Sequence, residues 1–368
     1  MHATDTLAEA DRLMTICNAC RYCEGLCAVF PAMERRRVFT DESLDYLANL
    51  CHGCGACYYD CQYAPPHEFA VNVPQTFAKL RSESYTRHTW PRAFADLFNR
   101  NGLIVTLVAG TAVALFIGGF VALHDAGALF GVHTGPGAFY RLMPHDAMVV
   151  LFGAVFLFAL LAVGMSVRTF WQSTGGGRIT LSDLIAAGRA ATTLKYLDGG
   201  GVGCMNEDER PIDHRRFYHH CTFYGFLLCF ASTSLATVLH NGFGWQAPYA
   251  WYNPVVLLGT VGGIGLVIGP SGLLCAKVTR DPEMVDTGAK GMEVAFLVML
   301  MLTSGSGLLV LVLRATPAMG VLLALHLGVV FALFLSFPYG KFVHGIYRYA
   351  ALVRFVSEGK APTIQPSN

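Results

Sequence analysis

Residues 17–27 read CNACRYCEGLC, and residues 51–61 read CHGCGACYYDC. These two stretches, termed here the first and second cysteine motifs, both have the spacing C-x2-C-x2-C-x3-C. Where such a run binds [4Fe-4S] clusters, three of its cysteines ligate one cluster and the fourth ligates the other. The spacing therefore predicts two ligand sets. The first cysteine set is Cys17, Cys20, Cys23 and Cys61, and the second cysteine set is Cys27, Cys51, Cys54 and Cys57.

Zinc binding and disulfide pairing are the alternative interpretations of these cysteines. A zinc site closes at four ligands and does not need a third cysteine at the same interval. Disulfide pairing gives no reason for the same spacing to occur twice. Because free thiols persist in reducing compartments, we expect the N-terminal part of the chain to lie in the cytoplasm.

The composition indicates a membrane protein. Of 368 residues, 54% are hydrophobic and 14% are charged, whereas about 25% are charged in soluble domains. The net charge of +1 gives no indication of nucleic-acid binding. Apolar runs long enough to cross the roughly 30 Å hydrocarbon core of a lipid bilayer occur at residues 103–123, 147–165, 217–239, 254–274, 292–313 and 317–337.

These features predict a mainly α-helical protein with a cysteine domain and a membrane bundle. A two-cluster [4Fe-4S] helical ferredoxin-like domain with its linker occupies residues 1–100. A six-helix transmembrane, cytochrome-b-like domain occupies residues 101–345, and a cytoplasmic tail occupies residues 346–368. Within the N-terminal domain, the spacing of apolar residues predicts helices at residues 5–14, 41–50 and 76–81.

Basic residues are distributed unevenly between the two sides of the predicted bundle. They concentrate in the connections after the second and fourth runs and in the tail, whereas the opposite side has Arg141 and Arg314. Positive loops remain in the cytoplasm. We therefore expect a multi-pass protein of the bacterial inner membrane with both termini in the cytoplasm. The connection at residues 166–216 contains an apolar stripe that predicts a surface helix, flanked by two glycine-rich stretches that we interpret as flexible links.

Histidines in and beside the apolar runs are candidate ligands for b-type haem, which helical membrane bundles hold between two histidines of different helices. A helix turns by about 100° per residue, and on this basis His219 pairs with His344 near the cytoplasm. In the outer half His240 pairs with His326, which lies mid-run, where a polar side chain indicates function. The candidates are His219, His220, His240, His326 and His344, with His145 in reserve for the outer pair.

The paired cysteine motifs, followed by six apolar runs with RRFYHH at residues 215–220 and KFVHG at residues 341–345, resemble the tricarballylate-utilisation protein B family, also named citrate-utilisation protein B. The resemblance covers nearly the whole chain. It implies two [4Fe-4S] clusters and one or two b-type haems. It also implies that the protein reoxidises an FAD-dependent flavoprotein dehydrogenase, which converts tricarballylate to cis-aconitate, and passes the electrons to a membrane quinone. Unlike the common bacterial pattern, neither Cys27 nor Cys61 is followed by proline.

Two other functions are compatible with these motifs. A membrane redox sensor or anchor is expected to carry an output module, and after residue 337 the chain has a short basic tail. A reductase subunit would run in the opposite direction, from quinol to a cytoplasmic acceptor. The direction depends on reduction potentials, which hydrogen bonding and burial around each centre determine. We predict an electron-transfer subunit and assign no catalytic residue.

Overall fold

The computed structural model describes residues 2–97, 101–197, 199–201 and 214–360. All regular secondary structure in these ranges is helical, which confirms the predicted mainly α-helical fold. The α-helices are α1 (Asp5–Cys20), α2 (Val29–Glu34), α3 (Asp41–Leu50), α4 (Ala56–Tyr59), α5 (Val73–His88), α6 (Asn101–Leu123), α7 (Ala126–Leu129), α8 (His145–Ser173), α9 (Leu181–Thr192), α10 (His214–Phe243), α11 (Pro254–Val278), α12 (Lys290–Leu313), α13 (Met319–Ser336) and α14 (Val343–Lys360). Short 3-10 helices occur at Arg92–Leu97, Ala138–Arg141, Lys195–Leu197, Gly199–Gly201, Pro282–Met284 and Phe337–Tyr339.

A helix ends within the first cysteine motif and another ends directly before the second. The side chain of Thr4 caps the start of α1, and the helix ends at Arg21, whose φ of 56° is left-handed. The side chain of Thr40 caps α3 in the same way. Such hydroxyls accept a hydrogen bond from a backbone N–H that the helix leaves unpaired. At the other end of each helix, Cys20 is the last residue of α1 and Cys51 directly follows α3.

One hydrophobic core joins the N-terminal domain to α14. Leu13 of α1 and Leu352 of α14 are both fully buried in this core, and full burial of a leucine contributes roughly 1.5–3 kcal/mol. At its edge, Arg36 forms an ion pair of 2.7 Å with Glu358. The described part of the expected tail, residues 346–360, therefore belongs to the N-terminal domain. The remaining tail residues lie outside the described ranges.

Six helices of the described chain are long and apolar enough to cross a membrane. They are Gly102–Leu123, His145–Ser173, His214–Phe243, Pro254–Val278, Lys290–Leu313 and Met319–Tyr339. Each overlaps one of the predicted apolar runs. The second and third helices extend beyond their runs at both ends, because polar residues continue the helix past the apolar segment. Their length and composition indicate a membrane protein.

Helices α10 and α11 pack closely because glycines lie between them. A Cβ atom added at Gly225 would lie 2.9 Å from both the Gly262 carbonyl oxygen and the Leu266 backbone nitrogen. A Cβ atom at Gly262 would lie 2.8 Å from the Cys229 backbone nitrogen. Separations this short do not occur for real side chains, so both positions require glycine. Small residues of this kind let transmembrane helices approach one another.

The sixth span does not continue as one helix to the end of the chain. Helix α13 ends at Ser336, Pro338 lies in the following 3-10 helix, and α14 begins at Val343. Proline has no backbone N–H to donate and its ring clashes with the preceding turn, so an α-helix breaks there. The break redirects the chain, and α14 packs against the N-terminal domain.

The long connection contains the predicted surface helix, α9, on which Leu181 is 72% exposed. Its second glycine-rich stretch is packed closely against the cysteine motifs. A Cβ atom added at Gly199 would lie 3.0 Å from the Ala56 Cβ, and one at Gly200 would lie 3.2 Å from the Leu26 Cα. The sequence analysis interpreted these glycines as a flexible link, whereas in the structure they allow the connection to cover both motifs.

Candidate metal centres

The first cysteine set lines a cavity of about 240 Å³ in the N-terminal domain. All four cysteines of the set are in the wall of this cavity, together with Tyr22 and Asp60. Cys20 is exposed, and Tyr22 is 73% exposed, so this side of the cavity faces solvent. The structure thus brings together the four cysteines that the spacing assigns to one set.

The second cysteine set lines a smaller cavity of about 20 Å³. All four of its cysteines are in the wall, and Cys51 is buried. Gly53 and Gly55 have φ angles of 60° and 93°, which glycine adopts without steric cost, and these turns fold the second motif around the cavity. Because Cys57 is in the walls of both cavities, the two lie side by side.

The chemistry of the two sets fits iron–sulfur ligation. Burial, followed by the neighbouring thiols, raises the pKa of Cys17 and of Cys23 to about 12. Burial also raises the pKa of Cys27 and of Cys57 above the ordinary range. Thiols must lose their protons to bind metal. A cationic iron centre would therefore replace the thiol protons in each of the two crowded cysteine sets. In the described ranges, no three His, Cys, Asp or Glu side chains are placed to hold a single metal ion.

His219 and His344 lie beside each other at the end of the bundle that faces the N-terminal domain, with ring centroids 6.1 Å apart. The Nδ1 atom of His219 is buried without a hydrogen-bond partner, whereas Nδ1 of His344 contacts the Lys341 carbonyl oxygen. Metal-binding histidines characteristically donate their other ring N–H to such an acceptor. The pair therefore fits a haem held between two histidines. The ring of His220 lies 5.7 Å from that of Tyr224.

His52 belongs to the second cysteine motif and lies in the wall of the second cavity. Its Nε2 atom is buried and has no hydrogen-bond partner. Burial, then the charge of Arg348, lowers the pKa of His52 well below its ordinary value, and His219 lowers it further. Burial and nearby cations also lower the pKa of His344. The rings of His52 and His344 are both neutral near pH 7, and Arg348 is a charged neighbour of both. His52 was not among the residues predicted from the sequence, although its position directly after Cys51 is a signal.

At the opposite end of the bundle, His240 stacks on His145 with ring centroids 3.6 Å apart. Tyr140 contacts both rings, at 5.2 and 5.3 Å. His326 instead lies with its Nδ1 atom 3.0 Å from the Ser306 Oγ atom, because α13 packs against α12 there. In the structure His240 therefore lies against His145, the residue held in reserve for the outer pair, and not against His326 as predicted. Rings stacked in contact leave no room for a haem between them. No sequence signal distinguishes Tyr140 or Ser306.

The fold and the cysteines define a class of membrane protein in which a ferredoxin-like cysteine domain precedes six transmembrane-type helices. A family model described as Citrate utilization protein B matches residues 96–365, and one described as Citrate utilization protein B Fer4-like domain matches residues 10–87. The chain belongs to the citrate utilization protein B family, which confirms the resemblance seen in the sequence.

One relative shows how much of the chain this likeness covers. Over 356 residues the chain is 47% identical to Citrate utilization protein B of Escherichia coli. The aligned residues make up 96% of this chain and 93% of the relative. No solved structure gives a significant match. The N-terminal cysteines together with the Fer4-like domain indicate iron–sulfur binding.

Proposed function

We propose that the protein carries electrons from a reduced FAD-dependent flavoprotein dehydrogenase to a quinone of the bacterial inner membrane. The observation that carries this proposal is that α10 and α14, which carry His219 and His344, donate hydrogen bonds through Arg215 and Arg348 to the backbone of the second cysteine motif. The cysteine domain and the membrane bundle thereby form one continuous path. Two [4Fe-4S] clusters at the cysteine sets and a b-type haem at the histidine pair would supply the one-electron carriers that such a path needs.

The substrate of the partner dehydrogenase is inferred from the relative. Its name, Citrate utilization protein B, supports a role in the use of a tricarboxylate, and the family resemblance implies tricarballylate as the compound that the flavoprotein oxidises. In the overall reaction the flavin hydroquinone loses two electrons, and the quinone gains both of them together with two protons. The protein releases no product of its own, and its task is to connect a water-soluble donor to a lipid-soluble acceptor.

The chain supplies a surface on which the flavoprotein can dock. Cys20 and Tyr22 are exposed on the face of the N-terminal domain that opens into the larger cavity. An exposed aromatic ring beside a buried site is a usual component of protein–protein interfaces. The remaining cysteines of the two motifs are partly or fully covered, and the second cysteine motif faces the membrane bundle. We therefore place the partner at the first cysteine set.

We place both termini in the cytoplasm. Arg348 of α14 donates a hydrogen bond of 2.9 Å to the Cys51 carbonyl oxygen, so the last helix and the N-terminal domain lie on the same side of the bundle. At this end Lys277 and Lys341 both pair with Glu293. Basic residues concentrate on the cytoplasmic side of membrane proteins, which supports this orientation.

The proposal predicts that Cys51→Ser abolishes electron transfer. Membranes that contain the protein and its flavoprotein should reduce quinone when the dehydrogenase substrate is added, and quinone reduction is followed optically. Cys51→Ser removes a ligand of the second set, whereas Cys275→Ser changes an exposed thiol of α11 and serves as the matched control. We expect turnover to be lost in the first variant and retained in the second.

Unimpaired turnover with Cys51→Ser would reject the path through the second cysteine set. Metal analysis and an optical spectrum of the anaerobically purified protein accompany the assay. Two clusters correspond to about eight irons besides that of the haem. Zinc in place of this iron would overturn the proposed cofactors, whatever the turnover.

A further inference from the structure

Arginine side chains from four separate elements converge on the backbone of the second cysteine motif. Within the described residues they are Arg81 of α5, Arg215 of α10, Arg280 just after α11, and Arg348 of α14, and we term them the arginine cluster. All four donate hydrogen bonds to carbonyl oxygens of residues 51–53. Each of these elements therefore contributes a positive charge to the same short segment.

The contacts are short and specific. Arg81 and Arg348 donate to the Cys51 carbonyl oxygen at 3.1 and 2.9 Å. Arg215 and Arg280 both donate to the Gly53 carbonyl oxygen at 2.7 Å. Because the acceptors are neutral carbonyls, the bonds of Arg81, Arg215 and Arg348 hold these guanidinium groups in place without cancelling their charge. The side chains are partly buried, where water and salt screen charge less than at an open surface.

The turn at Gly53 requires glycine and lies against two of the arginines. Its φ of 60° is left-handed, and an added Cβ atom would lie 3.5 Å from an Nη2 atom of Arg280 and 3.8 Å from one of Arg81. A side chain here would be strained by the backbone and would lie against both guanidinium groups. The turn of the motif and the arginine cluster thus form one arrangement.

The first cysteine set has no such cluster: among the described residues, the wall of its cavity contains one acidic side chain and no basic one. Asp60 is in the wall of its cavity, and Cys20 is exposed. Reduction adds a negative charge to a metal centre, so nearby cations favour the reduced state and nearby anions oppose it. Burial of the second set opposes reduction, but the guanidinium groups of the arginine cluster act against this effect from several directions.

We propose that the arginine cluster raises the reduction potential of the iron–sulfur centre held by the second cysteine set above that of the centre held by the first. This inference rests on the proposed function and adds the order in which electrons pass through the two centres. Electrons arrive from the flavoprotein at the exposed first set and are drawn to the buried second set, beside His52. The arginines are positioning residues, because they contact the backbone of the motif and not the metal.

The test is a potentiometric titration of the purified protein with a chemical mediator, followed by electron paramagnetic resonance. It needs neither the flavoprotein nor quinone. The variants are Arg215→Gln, Arg348→Gln and Arg348→Lys. Arg216→Gln is the matched control, since Arg216 neighbours Arg215 on α10 but donates to the Thr193 carbonyl oxygen at 3.0 Å. Comparison with a separate Cys20→Ser variant, in which the first set lacks a ligand, identifies which signal belongs to the second set.

We expect both glutamine variants to shift the midpoint potential of the second-set signal to more negative values and to leave the first-set signal in place. Arg348→Lys keeps the charge and should shift it less than Arg348→Gln. Unchanged potentials in both glutamine variants, or an equal shift with Arg216→Gln, would overturn the inference. If Arg348→Gln loses its iron, the midpoint potentials of Arg215→Gln and Arg348→Lys decide whether the inference holds. Wild-type protein without iron–sulfur signals would instead refute the proposed function.

Discussion

Single side chains determine whether the bundle can hold a haem at the end that faces the cysteine domain. The contact between Nδ1 of His344 and the Lys341 carbonyl oxygen leaves Nε2 of His344 as the nitrogen available to metal. His219 approaches the same space from α10 with an unpartnered Nδ1 atom. Buried polar atoms rarely lack a partner, so the unpartnered Nδ1 atom is compatible with a ligand at this place.

Replacing His344 with alanine should remove a low-spin haem signal and leave the iron–sulfur absorbance in place. The reason is that the haem loses one of two axial ligands, whereas neither cysteine set contacts the altered side chain. The measurement is the reduced-minus-oxidised optical spectrum per mole of protein. His124→Ala, at the far end of α6, should retain both signals. A full haem complement in both His219→Ala and His344→Ala would reject the pair.

For single residues, the sequence predicted which chemistry a side chain can perform better than it predicted which side chain lies next to it. Motif spacing alone separated the eight cysteines into the two sets that line the two cavities. Helix rotation placed His240 on a face but did not specify which helix packs against that face. The structure brings His145 there, and it directs His326 toward Ser306. Such contacts depend on the packing of whole helices, which a periodic pattern does not contain.

Among the helices, the contact between α10 and α11 depends on glycine. Gly225 and Gly262 lie where the two backbones meet, and a side chain at either position would overlap the neighbouring helix. Helix α10 also carries His219 and Arg215 toward the second cysteine motif. A displacement of α10 would therefore affect the histidine pair and the arginine cluster together.

Gly225→Ala should destabilise the protein by about 1–3 kcal/mol, the typical cost of forcing an extra carbon into a packed interface. Thermal unfolding in detergent measures this change. Gly242→Ala is the control on the same helix, because a Cβ atom there meets nothing within 4 Å. Alanine favours a helix over glycine by up to about 1 kcal/mol, so the control should be neutral or stabilised. Equal unfolding temperatures for the two variants would contradict the close approach.

The elements themselves followed from the sequence where one physical signal was strong. Long apolar runs identified the spans, and capping residues gave α3 the bounds that the pattern predicts. Helix α5 is longer than expected because Pro74 lies at its start, where proline is tolerated, and does not interrupt it. The break at Pro338 was harder to predict, since a transmembrane helix can either kink or end at proline.

On the scale of the whole molecule, the first and last helices of the described chain share one core. Leu13 and Leu352 are fully buried in it. The sequence analysis treated residues 346–368 as a tail, because the apolar residues of α14 are too few to form a span and show no partner. Only the folded arrangement shows that the cysteine domain is their partner.

Leu352→Ala should destabilise the cysteine domain by about 2–5 kcal/mol, the usual cost of a cavity left by a buried leucine. Loss of iron–sulfur absorbance on mild heating measures this effect, and we expect it at a lower temperature than in the unaltered protein. Leu181→Ala removes an equal volume from a side chain that is 72% exposed, so it should leave the temperature unchanged. An unchanged temperature in Leu352→Ala would mean that α14 does not support the cysteine domain.

The burial of α14 in the N-terminal core has a consequence for the timing of biosynthesis. A ribosome releases the cysteine motifs first and α14 last, with all six spans between them. Protein domains generally fold as units while the chain is being made, but this one lacks part of its interior until α14 has been made. We therefore expect the cysteines to stay accessible while the spans are synthesised. On this basis, iron and sulfide would be delivered to a completed domain at the membrane, after the spans have been inserted.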